Sequence, residues 1–414
     1  MQLNHKRLSK RFNKMASIGA TDKGGVERLA LTDLDKEART LLLGWAHNSG
    51  LQTRFDDFGN IYIRLEGQDN TRKPIVMGSH LDTVPKGGKY DGVLGVLAGF
   101  EILESFNELS IKPDFPIEVA VFTNEEGARF PTPMLGSGAI AGIFTKKHVY
   151  EMKDDDGIRF DSELERLGYK GEKNNRLSEF EAFIELHIEQ GPILDELQKP
   201  LGIVKGIQGL SWHHIQFFGE SDHAGTTPLQ HRKDPLLSAS KSIQRIWEWA
   251  SNLNDGTLVT FGKISVQPNT INVIPGIASF SLDIRHPEKS TLLRRIDTAK
   301  TLIREVALED DTQSLCEDLS FMPPISFDPF LTDVFKKCSE DKGISYHELH
   351  SGAGHDAMYL NKLGPTLMLF TPSLLGKSHC EEEETNWSDI EMAVQILGDG
   401  VFELINKKQA LNSK

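Results

Sequence analysis

Four short segments of this 414-residue chain gather side chains that bind metal ions or move protons: Gly78-Ser-His-Leu-Asp-Thr83, Tyr90-Asp-Gly92, Thr123-Asn-Glu-Glu-Gly127 and Glu185-Leu-His-Ile-Glu-Gln-Gly191. Imidazole and carboxylate donors together suit zinc, and also manganese, cobalt or nickel. His80 and Asp82 alternate, so in extended chain they face the same way. Asp82 is then placed to accept the second ring N–H of His80 and fix its tautomer. Glu125 and Glu126 are neighbours on a loop, so their side chains diverge. One can hold metal while the other addresses the attacking water. In this reading Asp91 bridges two ions, His80 and His187 complete one site, and Glu126 with a distant histidine completes the other. Two ions about 3.5–4 Å apart generate hydroxide at neutral pH and polarise a carbonyl. Each segment alone has a plainer explanation: a lone histidine near a strand is usually a packed core residue, and a Glu-Glu pair is usually a solvated face. Their joint occurrence, beside glycines that free the backbone, points to a metal cluster.

The elements that must position these residues can be read from hydrophobic period. From Leu31 to about Gly209, short buried runs alternate with helical ones. Pro74 to Met77, Ile117 to Phe122 and Phe183 to His187 read as strands, and Asp35 to Ser49 and Gly92 to Asn107 as helices. That alternation predicts an α/β layer with a mostly parallel sheet, whose strand C-terminal ends converge on one crevice. The texture changes near Leu210. Trp212 to Phe218 reads as strand, Pro235 to Leu253 as helix, Leu258 to Val266 and Ile277 to Ile284 as strands, Thr291 to Val306 as helix and Leu315 to Phe321 as a last strand. This β-α-β-β-α-β order is the split βαβ arrangement of a small ferredoxin-like α+β domain. The α/β texture then resumes with a helix near Asp333, strands at Ile344 to Leu349 and Thr366 to Phe370, and a helix from about Ser388 to Ile405. A domain spanning 209–327 is thus expected to be inserted into a discontinuous one built from 1–208 and 328–414.

Composition bounds the partners. Apolar residues make up 38% and charged residues 26%, a globular balance. The formal net charge of -14 repels phosphate backbones and argues against nucleic acid. Three cysteines in a chain this long form no disulfide framework and fit a reducing compartment. The N-terminal stretch carries no signal-peptide core, and no run approaches the roughly 20 apolar residues of a membrane span. A cytoplasmic protein is expected, without membrane partners.

The motifs GSHLDTVPKGGKYDGVLGVLAG, FTNEEGARF, MLGSGAIAG, ELHIEQGPILD, GESDHAGTTPLQHRKDP, INVIPG and SGAGHDAMYL recur in order along the chain. Together they resemble the hydantoinase/carbamoylase family of amidases, within the aminoacylase and carboxypeptidase group of binuclear metallohydrolases. The likeness runs from about residue 15 to the C-terminus. It implies a zinc-exopeptidase-like sheet sandwiched by helices, and two divalent ions per subunit, zinc first. The ligands would be His80, Asp91, Glu126, His187 and His379, with Asp91 bridging and Glu125 as general base and acid. Where the wider group often has Asp or Glu, this chain has His187, which argues against ordinary aminopeptidases. His223 resembles the family's oxyanion-stabilising histidine, which can reach the partner subunit's site. Gln190, Asn272 and Arg285 match substrate-binding positions, Arg285 as a clamp on the substrate carboxylate. The inserted domain would serve as lid and dimerisation domain of a homodimer. The implied reaction is hydrolysis of the ureido C–N bond of an N-carbamoyl-L-amino acid to the amino acid, ammonia and carbon dioxide. Allantoate amidohydrolase is the close alternative. β-Ureidopropionase, a dipeptidase or deacylase, and a non-catalytic binding protein on the same fold rank below it.

Other signals are weaker. His355 is either a pocket residue or a structural histidine at a helix start. Arg232 and Asp234 read as a local ion pair holding the His223 loop, and His213 and His214 as surface or packing residues. Gly136-Ser-Gly138-Ala-Ile-Ala-Gly142 has one residue too many for a dinucleotide fingerprint, and His347-Glu-Leu-His350 is one short of a zinc helix. Asp154-Asp-Asp-Gly157 reads as a polar turn and not as a calcium loop. Cys380 beside His379 has no supporting thiol motif.

Overall fold

A computed structural model describes residues 2–412 of the chain. It divides into two compact units, one formed by the residues up to Gly206 together with those from Phe327 on, the other by Ile207–Ser326.

The first unit is built around a mixed sheet whose centre is parallel. Ile117–Phe122, Ile75–His80, Ala182–Ile188 and Thr366–Thr371 lie side by side in that order, all parallel. Every residue of these four strands is buried. Parallel strands covered on both faces need such continuous apolar runs, which explains Ile-Val-Met and Ile-Glu-Val-Ala-Val-Phe in the sequence. Antiparallel strands extend both sides: Ile61–Leu65 and Gln52–Phe55 beyond Ile117–Phe122, and Leu201–Ile207 beyond Thr366–Thr371.

The helix Val93–Glu108 follows the Ile75–His80 strand and is buried on all sides through Phe106. A helix apolar all round belongs in the interior, and here it packs on the parallel strands. Its N-cap, Gly92, has φ +67°. A Cβ there would lie 2.4 Å from the His80 ring, so both conformation and space require glycine. The helix Asp33–Asn48 starts from Thr32, whose hydroxyl accepts the Asp35 N–H. The strands expected at 74–77 and 183–187 run longer, to His80 and Ile188. Backbone pairing carries both strands through their terminal polar residues, so the two histidines stand on strand ends and not in loops.

In the second unit, an antiparallel sheet runs in the order Ile264–Gln267, Ile277–His286, Gly209–Phe218, Gln313–Met322. The helices Pro235–Ser251 and Lys289–Glu309 bury Ala239, Ile246, Leu292, Ile296 and Ile303 against Ile215, Phe217, Phe280 and Leu282. The strand expected over Leu258 to Val266 is interrupted, forming Leu258–Thr260 and Ile264–Gln267. No helix of the described residues is long and apolar enough to cross a membrane.

Candidate metal centre

At the C-terminal ends of the parallel strands, four of the predicted ligands converge around the fifth, Asp91. Its Oδ1 lies 3.3 Å from His80 Nε2 and 3.2 Å from His187 Nε2. Its Oδ2 lies 3.4 Å from His379 Nε2, which is itself 3.4 Å from Glu126 Oε2. One carboxylate therefore faces two separate donor groups, His80 with His187 and Glu126 with His379. All are buried except Glu126, which is half-buried, and His379, which is exposed.

Backbone carbonyls set the two buried imidazoles. His80 Nδ1 is 2.9 Å from the Asp82 carbonyl, and His187 Nδ1 is 3.0 Å from the Ile188 carbonyl. Each Nδ1–H is donated outward, and each Nε2 is turned toward Asp91. The carboxylate of Asp82 was expected to hold His80, and it does not. Its carbonyl performs that task, while its side chain accepts the N–H groups of Glu125 and Glu126 at 3.3 and 3.2 Å. Asp82 thus fixes the loop that carries both glutamates. The residue before them, Asn124, has φ +56°, and its amide holds the carbonyls of Phe130 and Thr132.

Glu125 points to the His80 side, with Oε2 3.5 Å from His80 Nε2. Burial pushes its carboxyl well above the ordinary range. His80 opposes that shift, while Asp356, Glu126 and Asp91 add to it. Glu126 is pushed up to about 8 by burial and by the charge of Asp91. His379 is raised to about 9, chiefly by its hydrogen bond to Asp91. Burial opposes a proton on His80, yet Glu125 and Asp91 outweigh it and raise this group well above its usual value.

The donor set fits a pair of divalent cations. Imidazole and carboxylate are the ligands such ions take. Three carboxylates crowd together in a buried space, where charge needs a counterion. Glu126 Oε1 and Gln190 Oε1 are buried without a hydrogen-bond partner, and both residues border Asp91 Oδ2 or His379.

The other predicted residues sort into three placements. Gln190, in the left-handed region at φ +59°, donates from Nε2 to Asp91 Oδ2 at 2.7 Å. His355 is buried against the His187 ring, with centroids 4.6 Å apart, and its Nε2 meets Ser351 Oγ at 3.0 Å. In the second unit, His223 and Asn272 lie on one small ribbon, where the Ala224 N–H reaches the Asn272 carbonyl at 3.1 Å. The Gly225 N–H donates to His223 Nδ1 at 3.0 Å, which leaves the neutral ring's proton on Nε2. Arg285 stands on the Ile277–His286 strand, paired with Asp283 at 2.8 Å.

Arg232 and Asp234 make no ion pair with each other. Arg232 braces the His223 loop through the carbonyls of Thr227 and Ala224, at 3.0 and 2.7 Å. Asp234 caps the helix Pro235–Ser251. His213 is a packing residue, buried and 2.7 Å from Asp318 Oδ1. His347 and His350 lie on a strand, and Asp154 closes a polar turn by accepting the Asp156 and Ile158 N–H groups.

Sequence reasoning missed two buried acids here. Glu185 accepts the Ser79 hydroxyl at 2.7 Å and the Ala357 N–H at 2.9 Å. Glu383 accepts the N–H groups of Tyr90 and Asp91. A run of four glutamates, Glu381 to Glu384, reads as a solvated face, and only its nearness to His379 could have flagged one member.

Comparison with known proteins gives one consistent set. The model of Peptidase family M20/M25/M40 matches residues 76–401. An N-carbamoyl-L-amino-acid amidohydrolase of Rhizobium meliloti is 36% identical over 411 residues, 97% of either chain. An allantoate amidohydrolase of Bacillus subtilis is 36% identical over 392 residues, 94% of this chain and 95% of its own. The crystal structure of an amidase of the hydantoinase/carbamoylase family from Burkholderia multivorans superposes with a TM-score of 0.92 at 39% identity, covering 97% of this chain and 98% of its own.

Proposed function

The chain belongs to peptidase family M20/M25/M40, in its hydantoinase/carbamoylase amidase group, and on that premise we propose that it hydrolyses the ureido C–N bond of N-carbamoyl-L-amino acids. It is an amidohydrolase of linear amide or ureido bonds, and enzymes of its family depend on metal. The observation that carries the reading is Asp91, whose two oxygens face two different donor groups.

His80, His187 and Asp91 would hold one cation, and Asp91, Glu126 and His379 the other, with zinc, manganese, cobalt and nickel all compatible. When bound, the pair lowers the pKa of water and polarises the carbamoyl oxygen. Glu125 takes a proton from the attacking water as oxygen adds to the carbamoyl carbon. His223 donates its Nε2–H to the developing oxyanion, a large effect in a dry pocket. The Glu125 carboxyl returns its proton to the departing nitrogen, and the carbamate remainder decomposes to carbon dioxide and amine. Arg285 gives up Asp283 for the substrate carboxylate, and Asn272, Gln190 and His355 are assigned to substrate binding. Asp82 acts by holding the Glu125 loop. The second unit serves as lid and dimerisation domain, closing over the substrate to exclude water. We place the protein in the cytoplasm, which its three free cysteines suit, and read it as a homodimer on the family resemblance.

The test measures ammonia release from carbamoyl-methionine, carbamoyl-β-alanine and allantoate with zinc, manganese, cobalt or nickel. Fastest turnover of carbamoyl-methionine is expected. The second reading, allantoate hydrolysis, is favoured by the relative from Bacillus subtilis at the same 36% identity. Preference for allantoate in that panel would replace the first reading.

A further inference from the structure

Glu383 takes no part in the chemistry above, yet it is 3% exposed and stands four residues beyond His379. Its Oε1 accepts the Tyr90 N–H at 3.0 Å and the Asp91 N–H at 3.2 Å. Its Oε2 accepts the Ser378 hydroxyl at 3.0 Å, and Ser378 Oγ lies 3.3 Å from Asp91 Oδ2. Both carboxylate oxygens are thus engaged by N–H and O–H donors, so Glu383 is not itself arranged as a cation ligand. Glu384 ties the same turn a second time, through Lys89 Nζ at 2.9 Å and the Tyr90 hydroxyl. Gly88 makes room for this: a Cβ there would fall 1.9 Å from the Glu383 carboxylate.

The consequence concerns two ligands almost 300 residues apart in the chain. Asp91 lies beyond the strand Ile75–His80, on a turn that the sheet does not hold. His379 lies on another loop, at φ +55°, directly after Ser378. The direct tie is a carboxylate that grips the backbone of the first loop and, through Ser378, the second. Carboxylate acceptance of backbone N–H groups is strong and directional. Partners of this kind, behind a metal ligand, govern how well the ligand is oriented.

We propose that Glu383 is a positioning residue for the metal pair, fastening the Asp91 turn to the His379 loop so that Asp91 Oδ2, Glu126 and His379 are in register before a cation arrives. The inference rests on the two-cation reading. Its effect falls on one of the two sites, because the Ser378 hydroxyl meets Oδ2, the oxygen facing His379 and Glu126. His80 and His187 are set by their own strand ends and by carbonyls of Asp82 and Ile188.

The experiment titrates the metal-free full-length protein with cobalt(II), followed by its visible bands, and with zinc against a chromophoric chelator. Wild type is expected to take two cations per chain. In Glu383→Ala one cation should weaken roughly ten- to a hundred-fold, the other staying within about threefold, with the melting temperature of the metal-free protein little changed. Glu383→Gln, which keeps an acceptor for the backbone N–H groups, should recover part of the loss. Ser378→Ala should weaken the same cation by a smaller factor, and it decides the matter if Glu383→Ala fails to fold. Wild-type affinity at both sites in these variants overturns the proposal. Equal loss at both sites with a lowered metal-free melting temperature also overturns it, marking Glu383 as packing only. A wild-type chain that takes no second cation instead removes the two-cation reading, and this inference with it.

Discussion

At the scale of single residues, the division of labour between two adjacent glutamates makes the sharpest prediction. Glu125 faces His80, whereas Glu126 faces His379. Glu125→Gln should lower kcat by roughly 10²–10⁴-fold, the usual worth of a general acid–base group, while still binding two cations. Undiminished turnover would remove it from the mechanism. The proton inventory gives a second. In the cation-free site Glu126 titrates near 8 and His379 near 9, so around neutral pH both hold protons. Cations compete with those protons, so apparent affinity should fall as pH drops below these values and level off above them. Calorimetric titration in two buffers of different ionisation heat should show net proton release, and none would contradict it. His80, Asp91, Glu126 and His187 were legible in the sequence because few other chemistries want His, Asp and Glu beside glycine at strand ends, whereas His379 was named only by the family resemblance. The tasks of Asp82 and Glu383 were not legible, because they depend on which distant backbone N–H each carboxylate meets.

At the scale of elements, the site depends on how the Ile75–His80 strand hands over to the helix Val93–Glu108. Gly92, at φ +67°, caps that helix and lies against the His80 ring, and its N–H meets His187 Nε2 at 3.2 Å. Gly92→Ala should cost about 1–2 kcal/mol from the left-handed backbone alone and should also displace His80. Chelator competition and thermal melting on the same variant check both; unchanged cation affinity would show that the ring tolerates the intrusion. The hydrophobic runs of the parallel strands were readable since burial on two faces leaves no polar alternation. The short strands Gln52–Phe55 and Ile61–Leu65 escaped notice, the first being partly exposed and rich in polar residues and the second only five residues long. The break in the Leu258 to Gln267 strand, at Phe261 to Lys263, was equally invisible because glycine alone gives no register.

At the scale of the whole molecule, the two units carry separate cores, and all five proposed cation ligands lie in the first. Calorimetry should resolve two unfolding transitions, with added cations raising only the one that belongs to the first unit, since binding stabilises what binds. A single transition shifting as one would refute independent units. The other transition has its own pH dependence. Burial lowers the pKa of His213 below the ordinary histidine value, against the pull of Asp318. The unfolded chain then binds a proton that the folded unit resists, so this contribution is intact above pH 6.5 and is lost as pH falls through the folded value. His213→Gln should flatten the drop in that transition as pH falls below the ordinary histidine range; an unchanged drop would clear His213 of the effect.

The interrupted order of the first unit also dictates a schedule for synthesis. The strand Ala182–Ile188 pairs on one side with Ile75–His80, but its other neighbour, Thr366–Thr371, is made only after the whole second unit. At ribosomal speeds of about 5–20 residues per second, that apolar edge waits unpaired for roughly ten seconds or more. During that interval the nascent chain carries an open template for strand addition and lacks His379, so it can neither close its sheet nor retain a complete metal pair. A stall or truncation between the two strands should therefore yield an aggregation-prone, chaperone-dependent fragment, and not a weakly active enzyme.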